Sequence, residues 1–318
     1  MSKSIKQILL FNCIAILLLS ICIEFGFYAY FCKRIYNINP FVPVSHYKKE
    51  FTIYPPPYFV PIEQSQKKYS KKPILLLGGS YAQGEGLDPS ETNFTAQISK
   101  LTNRYAYNWG ISGQGAPAML ALLKDEHKRH LLTDLPEYVI YLYMFHHIER
   151  CTYWQHYNLM RKEGLIPFQK YNFLYNFYIY QYFKNIEADK YFWNDFNRRY
   201  DVFFSVLKKM KEESDNLFPK SKFVILLYSD TNYDIWEGIM GKNNENKETV
   251  NHLFEILYSK DFRHKLEDLG FIVISTEELT GRKMNKPKDR VKNDPCHPHP
   301  SESAWKEILP KFVKKLHL

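Results

Sequence analysis

The stretch Ile74-Leu75-Leu76-Leu77-Gly78-Gly79-Ser80-Tyr81-Ala82-Gln83-Gly84 decides how the rest of the chain is read. Four apolar residues in a row, without alternation, predict a strand buried on both faces. Two glycines end it and let the backbone bend sharply. A serine on a tight strand-to-helix turn stands at the edge of a sheet, where the new helix aims backbone N–H groups towards its oxygen. Taken alone this is a weak signal, because an ordinary turn has the same composition.

Further along, the same alternation repeats. Tyr105-Ala106-Tyr107 reads as a second short strand, Tyr138 to Met144 as a third, Phe223 to Tyr228 as a fourth and Phe271 to Ile274 as a fifth. Helical spacing lies between them. Phe94, Ile98 and Leu101 follow Ser90 as a capping residue; Met119, Leu120 and Leu123 form a second set, and Val202, Phe203, Val206, Leu207 and Met210 a third. Val250, Leu253, Phe254 and Leu257 predict the start of a helix that Gly270 terminates, and a last helix runs from about Glu302 to Lys315. Continuous apolar strands alternating with helices predict an α/β fold with a parallel sheet covered on both faces. Functional groups in such sheets gather beyond the carboxyl ends of the strands.

Two more segments fall at such positions. The second strand ends in Asn108-Trp109-Gly110-Ile111-Ser112-Gly113-Gln114-Gly115, three glycines suited to a backbone loop that approaches a ligand closely. Near the C-terminus stands Asp294-Pro295-Cys296-His297-Pro298, directly before the last helix. An Asp three residues from a His can hold one imidazole nitrogen and leave the other to take a proton from a serine.

Gly-Gly-Ser after strand one, Gly-x-x-Gly-x-Gly after strand two and Asp-x-x-His-Pro before the last helix together resemble the SGNH (GDSL-like) hydrolase family, over about residues 73 to 316. The resemblance implies a three-layer α/β/α fold with a five-stranded parallel sheet, in agreement with the independent strand count. It also implies hydrolysis of an ester through an acyl-serine, without metal or organic cofactor. Ser80 matches the nucleophile, Asp294 and His297 the activating pair, and Gly113 the glycine whose N–H helps bind the oxyanion. Two positions depart from the family pattern. Its usual Gly-Asp-Ser is Gly-Gly-Ser here. Its third block supplies an Asn side chain to the oxyanion hole, where this chain has Phe145-His146-His147-Ile148-Glu149-Arg150. Counting from Pro136 puts His146 at the Asn position; a subgroup with an Asp-His-x-x-Arg-like third block singles out His147. Both stand as candidate oxyanion donors.

Two rival readings use the same residues. One is a catalytically degenerate member that serves as a membrane-tethered glycan-binding or assembly component. The other is a zinc site drawn from His146, His147, Cys151, Cys296, His297 and His299, whose spacings match no standard zinc motif and leave Ser80 and the glycines unexplained.

The N-terminus bears on location. Lys3 and Lys6 precede an apolar run from Ile8 to Phe31 that only Asn12, Ser20 and Glu24 interrupt. Such a run is long enough to span a bilayer, and no small-x-small cleavage site follows it. Residues 7–31 are therefore expected to be a transmembrane anchor, 32–72 a Pro- and Tyr-rich juxtamembrane spacer, and 73–318 the hydrolase domain with an aromatic-rich insertion over 152–200. The catalytic domain is expected outside the cytoplasm, although Lys33, Arg34, Lys48 and Lys49 offset Lys3 and Lys6 in the charge comparison. In the insertion, 17 of the 49 residues from Thr152 to Tyr200 are Phe, Tyr or Trp. That density reads as packing first, and otherwise as a surface for sugar rings or for a membrane. Partners are expected to be an acylated glycan or lipid substrate and the membrane. Nucleic acid is not expected: the net charge of 43 − 34 = +9 is spread along the chain and forms no stripe or arm. Two cysteines outside the N-terminal segment, Cys151 and Cys296, do not make a disulfide scaffold, though they can pair if the domain lies outside the cytoplasm.

Overall fold

The computed structural model describes residues 3–30, 69–88, 90–132, 134–193, 195–229, 252, 255–256, 259–292 and 299–318. Its strands are β1 (Lys71–Gly78), β2 (Arg104–Gly110), β3 (Tyr138–Tyr143), β4 (Lys222–Leu227) and β5 (Ile272–Ser275). The described helices begin with α1 (Lys3–Tyr30), α2 (Ser80–Gln83), α3 (Phe94–Thr102), α4 (Ala116–Lys124), α5 (Glu126–Arg129) and α6 (His147–Arg150). They continue with α7 (Trp154–Lys162), α8 (Tyr178–Trp193), α9 (Phe196–Leu217), α10 (Lys260–Asp268), α11 (Thr276–Thr280) and α12 (Glu302–Leu316). They fall into two compact units, one made of α1 with residues 152–198 and the other of residues 69–151 with 199–318.

The larger unit is built on a five-stranded sheet of order β2-β1-β3-β4-β5, parallel throughout. The chain leaves β1 for one side to form β2 and returns to its other side to form β3. That reversal is a topological switch point, where the loops splay and leave a crevice. Gly78 lies level with Gly110 on one side and Leu142 on the other, so the loops after β1, β2 and β3 leave the sheet at one edge.

Burial explains the apolar runs. Ile74 to Leu77 and all of β3 are buried, because helices cover both faces. On one face α3 packs on α12, with the Phe94 ring 5.1 Å from that of Trp305. The other face carries α4, α9 and α10: Lys124 pairs with Glu213, Phe203 stacks on Phe262, and Tyr143 of β3 touches both phenylalanines. Right-handed crossovers about a switch point place the helices this way. Each buried Leu of β1 contributes roughly 1.5–3 kcal/mol relative to exposure.

The helix ends show where local chemistry differs from the sequence expectation. Asn93, not Ser90, caps α3, its side-chain oxygen accepting the Ala96 N–H at 2.8 Å. Asn93 directly precedes the helix, whereas Ser90 closes a turn on the Asp88 carboxylate. Ser259 caps α10 and Ser301 caps α12, each accepting the N–H three residues on. Gly270 ends the α10 segment with φ +85°. The expected helix start at Val250 lies outside the described residues, as do Leu253, Phe254 and Leu257.

The smaller unit contains α1, of which Leu10–Tyr30 is long and apolar enough to cross a membrane. Nearly all of the expected spacer, residues 31–68, lies outside the described residues. The aromatic insertion is helical. Its centre is Arg161, whose guanidinium bonds Gln169, Asn158 and Asn185 and lies 4.5 Å from the Tyr175 ring centroid. Burial lowers its pKa, and the side-chain oxygens around it satisfy its N–H groups.

Candidate active site

Ser80 is the first residue of α2, immediately beyond β1, and is buried. The turn closes tightly: the Gly79 carbonyl accepts the N–H groups of Ala82 and Gln83. Close approach fixes the glycines around it. A Cβ at Gly110 would lie 2.3 Å from the Gln83 nitrogen, so the end of β2 lies directly against α2.

The second loop is tied to the same short helix. The Ser112 N–H donates to Gln83 Oε1 at 2.7 Å, and its hydroxyl donates to Glu85 Oε2 at 2.9 Å. Gly113 follows in the left-handed region at φ +72°, where a side chain would be strained. The candidate glycine donor and the candidate nucleophile therefore stand on one braced substructure.

The third block resolves into two histidines with different surroundings. The Nδ1 of His146 is 3.1 Å from the Glu149 carboxylate, and its ring lies against Phe145. His147 begins α6 and is fully buried. Its Nδ1 lies 2.6 Å from the Tyr141 hydroxyl, and its Nε2 has no hydrogen-bond partner among the described residues. That Nε2 faces the peptide leading to Ser80: a Cβ at Gly79 would lie 3.0 Å from it, 2.9 Å from Arg150 Nη1 and 2.9 Å from the Gln114 carbonyl oxygen. Arg150 Nη1 also donates to that carbonyl, at 3.2 Å.

Electrostatics fix the protonation of this pair. Burial holds the Tyr141 phenol well above its usual pKa, so it stays neutral and carries a proton. Burial, with the nearby Arg150 charge, holds His147 well below the usual imidazole value, so it too is neutral. A neutral phenol can donate to Nδ1, and in that tautomer the imidazole hydrogen sits on Nε2. His147 Nε2, which faces the Ser80 turn, is then an N–H donor.

Asp294 and His297 lie outside the described residues, as does Cys296. The residues that flank them are described. The Val291 N–H donates to the His299 carbonyl at 2.9 Å, and Arg290 and Pro300 form an antiparallel bridge. His299 is buried edge-on against Tyr81, next to Ser80, with Nε2 3.2 Å from the Glu85 carboxylate. Val291 and His299, on either side of residues 293–298, thus both lie at the flank of α2.

Sequence reasoning missed Tyr141 and the Glu85–His299 pair, whereas Arg150, one helical turn after His147, belongs to the Asp-His-x-x-Arg-like pattern that singled out His147. Cys151 is a free, buried thiol whose Sγ lies 3.4 Å from the His147 carbonyl oxygen; burial pushes its pKa well up. Among the described residues no three His, Cys, Asp or Glu side chains are grouped to hold a metal ion.

The five-stranded parallel sheet with helices on both faces, its switch point beside β1, is the α/β/α fold that the SGNH resemblance implies. No family model matches the chain, and no curated protein matches it. Similar solved structures include phospholipase A1 from Streptomyces albidoflavus (12% identity, 77% of this chain and 100% of that chain, TM-score 0.45). Another is the psychrotrophic esterase EstA from a Pseudoalteromonas species (12%, 78% and 97%, TM-score 0.39). A third is a member of the lipolytic protein G-D-S-L family from Veillonella parvula (10%, 77% and 97%, TM-score 0.41).

Proposed function

We propose that the chain is a serine esterase that acts through an acyl-Ser80 intermediate. The observation that carries this reading is the convergence on one sheet edge of the Ser80 turn, the Gly113 loop and the Nε2 atom of His147. In the proposed reaction His297, held by Asp294, takes the Ser80 proton as Oγ attacks the ester carbonyl carbon. The C=O π pair moves onto oxygen, and the N–H groups of Ser80, Gly113 and His147 stabilise that charge. The alcohol leaves with the proton from His297, and water then releases the acid by the reverse sequence. Among the two third-block candidates, His147 takes the oxyanion role, since His146 is turned to Glu149.

The two departures from the family pattern then have one cause. The space beside residue 79 is filled by Arg150 and His147, so a side chain at 79 has no room. The substrate class that fits an enzyme tethered by α1 is an acylated glycan or lipid close to the bilayer, with the catalytic unit outside the cytoplasm.

The test uses the full chain in detergent. Wild-type protein should hydrolyse p-nitrophenyl acetate and be labelled by a fluorescent phosphonate. Ser80→Ala should lose both while its melting temperature stays nearly unchanged, because only a hydroxyl is removed. Labelling that survives in Ser80→Ala rejects the nucleophile; folded wild-type protein without either activity favours the binding-component reading.

A further inference from the structure

Glu24 is the single charged residue between Lys6 and Lys33. It lies six residues before the end of α1, about 9 Å along the axis from Tyr30. A carboxylate at that depth in a spanning helix is costly unless it is partnered. It is partnered: Glu24 accepts hydrogen bonds from the backbone N–H groups of Tyr178 and Ile179, the second at 3.2 Å. These N–H groups open α8, a 16-residue helix, so the carboxylate also meets the positive end of its dipole. Rings reinforce the joint. Phe27 lies 5.0 Å from Tyr182, Tyr28 5.2 Å from Tyr178, and Tyr30 5.7 Å from Tyr182.

The sequence around this joint changes character along its length. From Phe173 to Phe183 the chain reads FLYNFYIYQYF, with seven aromatic residues in eleven and no charge; Lys170 and Lys184 flank it. Phe173 is 70% exposed, Phe183 61% and Phe177 47%. Beyond Lys184 the same helix carries Glu187, Asp189 and Lys190. Between them Tyr175 is buried: it stacks with Tyr171, touches Tyr180 and carries the Arg161 guanidinium over its ring.

We propose that residues 173–183 form a membrane-interface element, whose Phe173, Phe177 and Phe183 enter the headgroup–acyl boundary of the bilayer that α1 spans. The occupant of this exposed apolar surface is lipid. Glu24 sets the depth, because the start of α8 is bonded at its level, below the end of α1. Amphipathic rings flanked by lysines suit that boundary. The insertion is then a second membrane contact, and it rests on the reading of α1 as a spanning helix.

The experiment uses the full chain in phosphatidylcholine–phosphatidylglycerol nanodiscs. A tryptophan is added in Phe183→Trp or, separately, in Leu17→Trp, and the wild-type emission is subtracted. The added Phe183→Trp emission should be blue-shifted and lost in lipid brominated near the headgroup, with little quenching by aqueous acrylamide. Adding Glu24→Leu, which keeps the span apolar, should release the element and restore acrylamide quenching. Leu17→Trp should be quenched by lipid brominated deep in the acyl chain. If Leu17→Trp is quenched and Phe183→Trp is quenched only by acrylamide, the span stands and this proposal is overturned. If Leu17→Trp is also accessible to acrylamide, the span itself fails, and the proposal fails with it.

Discussion

The Tyr141 hydroxyl lies 2.6 Å from Nδ1 of His147, and both groups are fully buried. If His147 serves as the proposed oxyanion donor, a phenol that donates to Nδ1 keeps its hydrogen on Nε2, and Tyr141 is then a positioning residue. Tyr141→Phe removes the hydroxyl and keeps the ring. The His147 tautomer is then unfixed, and kcat should fall by about tenfold while KM changes little, the pattern of an interaction made in the transition state. A structural role alone would lower stability without that split. Steady-state ester hydrolysis together with thermal melts distinguishes the two.

The two neighbouring histidines should behave differently. His147→Ala should lower kcat by about 10²–10³, or roughly 2.7–4 kcal/mol of transition-state stabilisation. His147→Asn should recover part of it, since an amide N–H reaches a similar point. His146→Ala should stay near wild type, because its ring bonds Glu149 rather than facing Gly79. Equal losses in both alanine variants would remove the assignment.

Gly79 offers a test of shape. A methyl there would press on Arg150, on His147 and on the Gln114 carbonyl. Gly79→Ala should destabilise the fold by about 1–3 kcal/mol as an overpacked site and reduce turnover. Adding Arg150→Ala should relieve only part of the strain, because the backbone carbonyl cannot withdraw. Denaturant melts of the single and double variants measure this.

Acid should loosen the protein. Burial lowers His146, His147 and His156, the last from the usual 6.5 to about 4. Each binds a proton more readily when unfolded. Their stability contribution is therefore fully present above about pH 6.5 and is lost as pH falls towards the folded values. For His156 alone the loss approaches roughly 3 kcal/mol as an upper bound. His156→Leu should flatten the fall of melting temperature between pH 6.5 and 4, and an unchanged slope would exclude His156 as a contributor.

The fold was legible because each strand is a short, unbroken apolar run that only two-sided burial explains, as in Ile74 to Leu77. The turn at Ser80 and the loop at Gly113 were legible because glycine marks backbone that no other residue allows. The third block was harder. Sequence spacing left His146 and His147 equivalent, and only the direction of each ring separates them. Tyr141 was hidden for another reason. Inside a buried strand it reads as a core aromatic, and nothing in a linear pattern shows that its hydroxyl meets a histidine six residues later. Ser90 was misread as a cap because several polar residues precede α3 and only geometry selects Asn93.

The order of the strands has a consequence for biosynthesis. The loops after β1, β2 and β3, neighbours in the chain, carry Ser80, Gly113 and His147, whereas Asp294 and His297, the pair proposed to activate the serine, lie past β5. On the proposed reading a growing chain emerges with its nucleophile long before its base. A product truncated at β5 would then hold an unactivated serine.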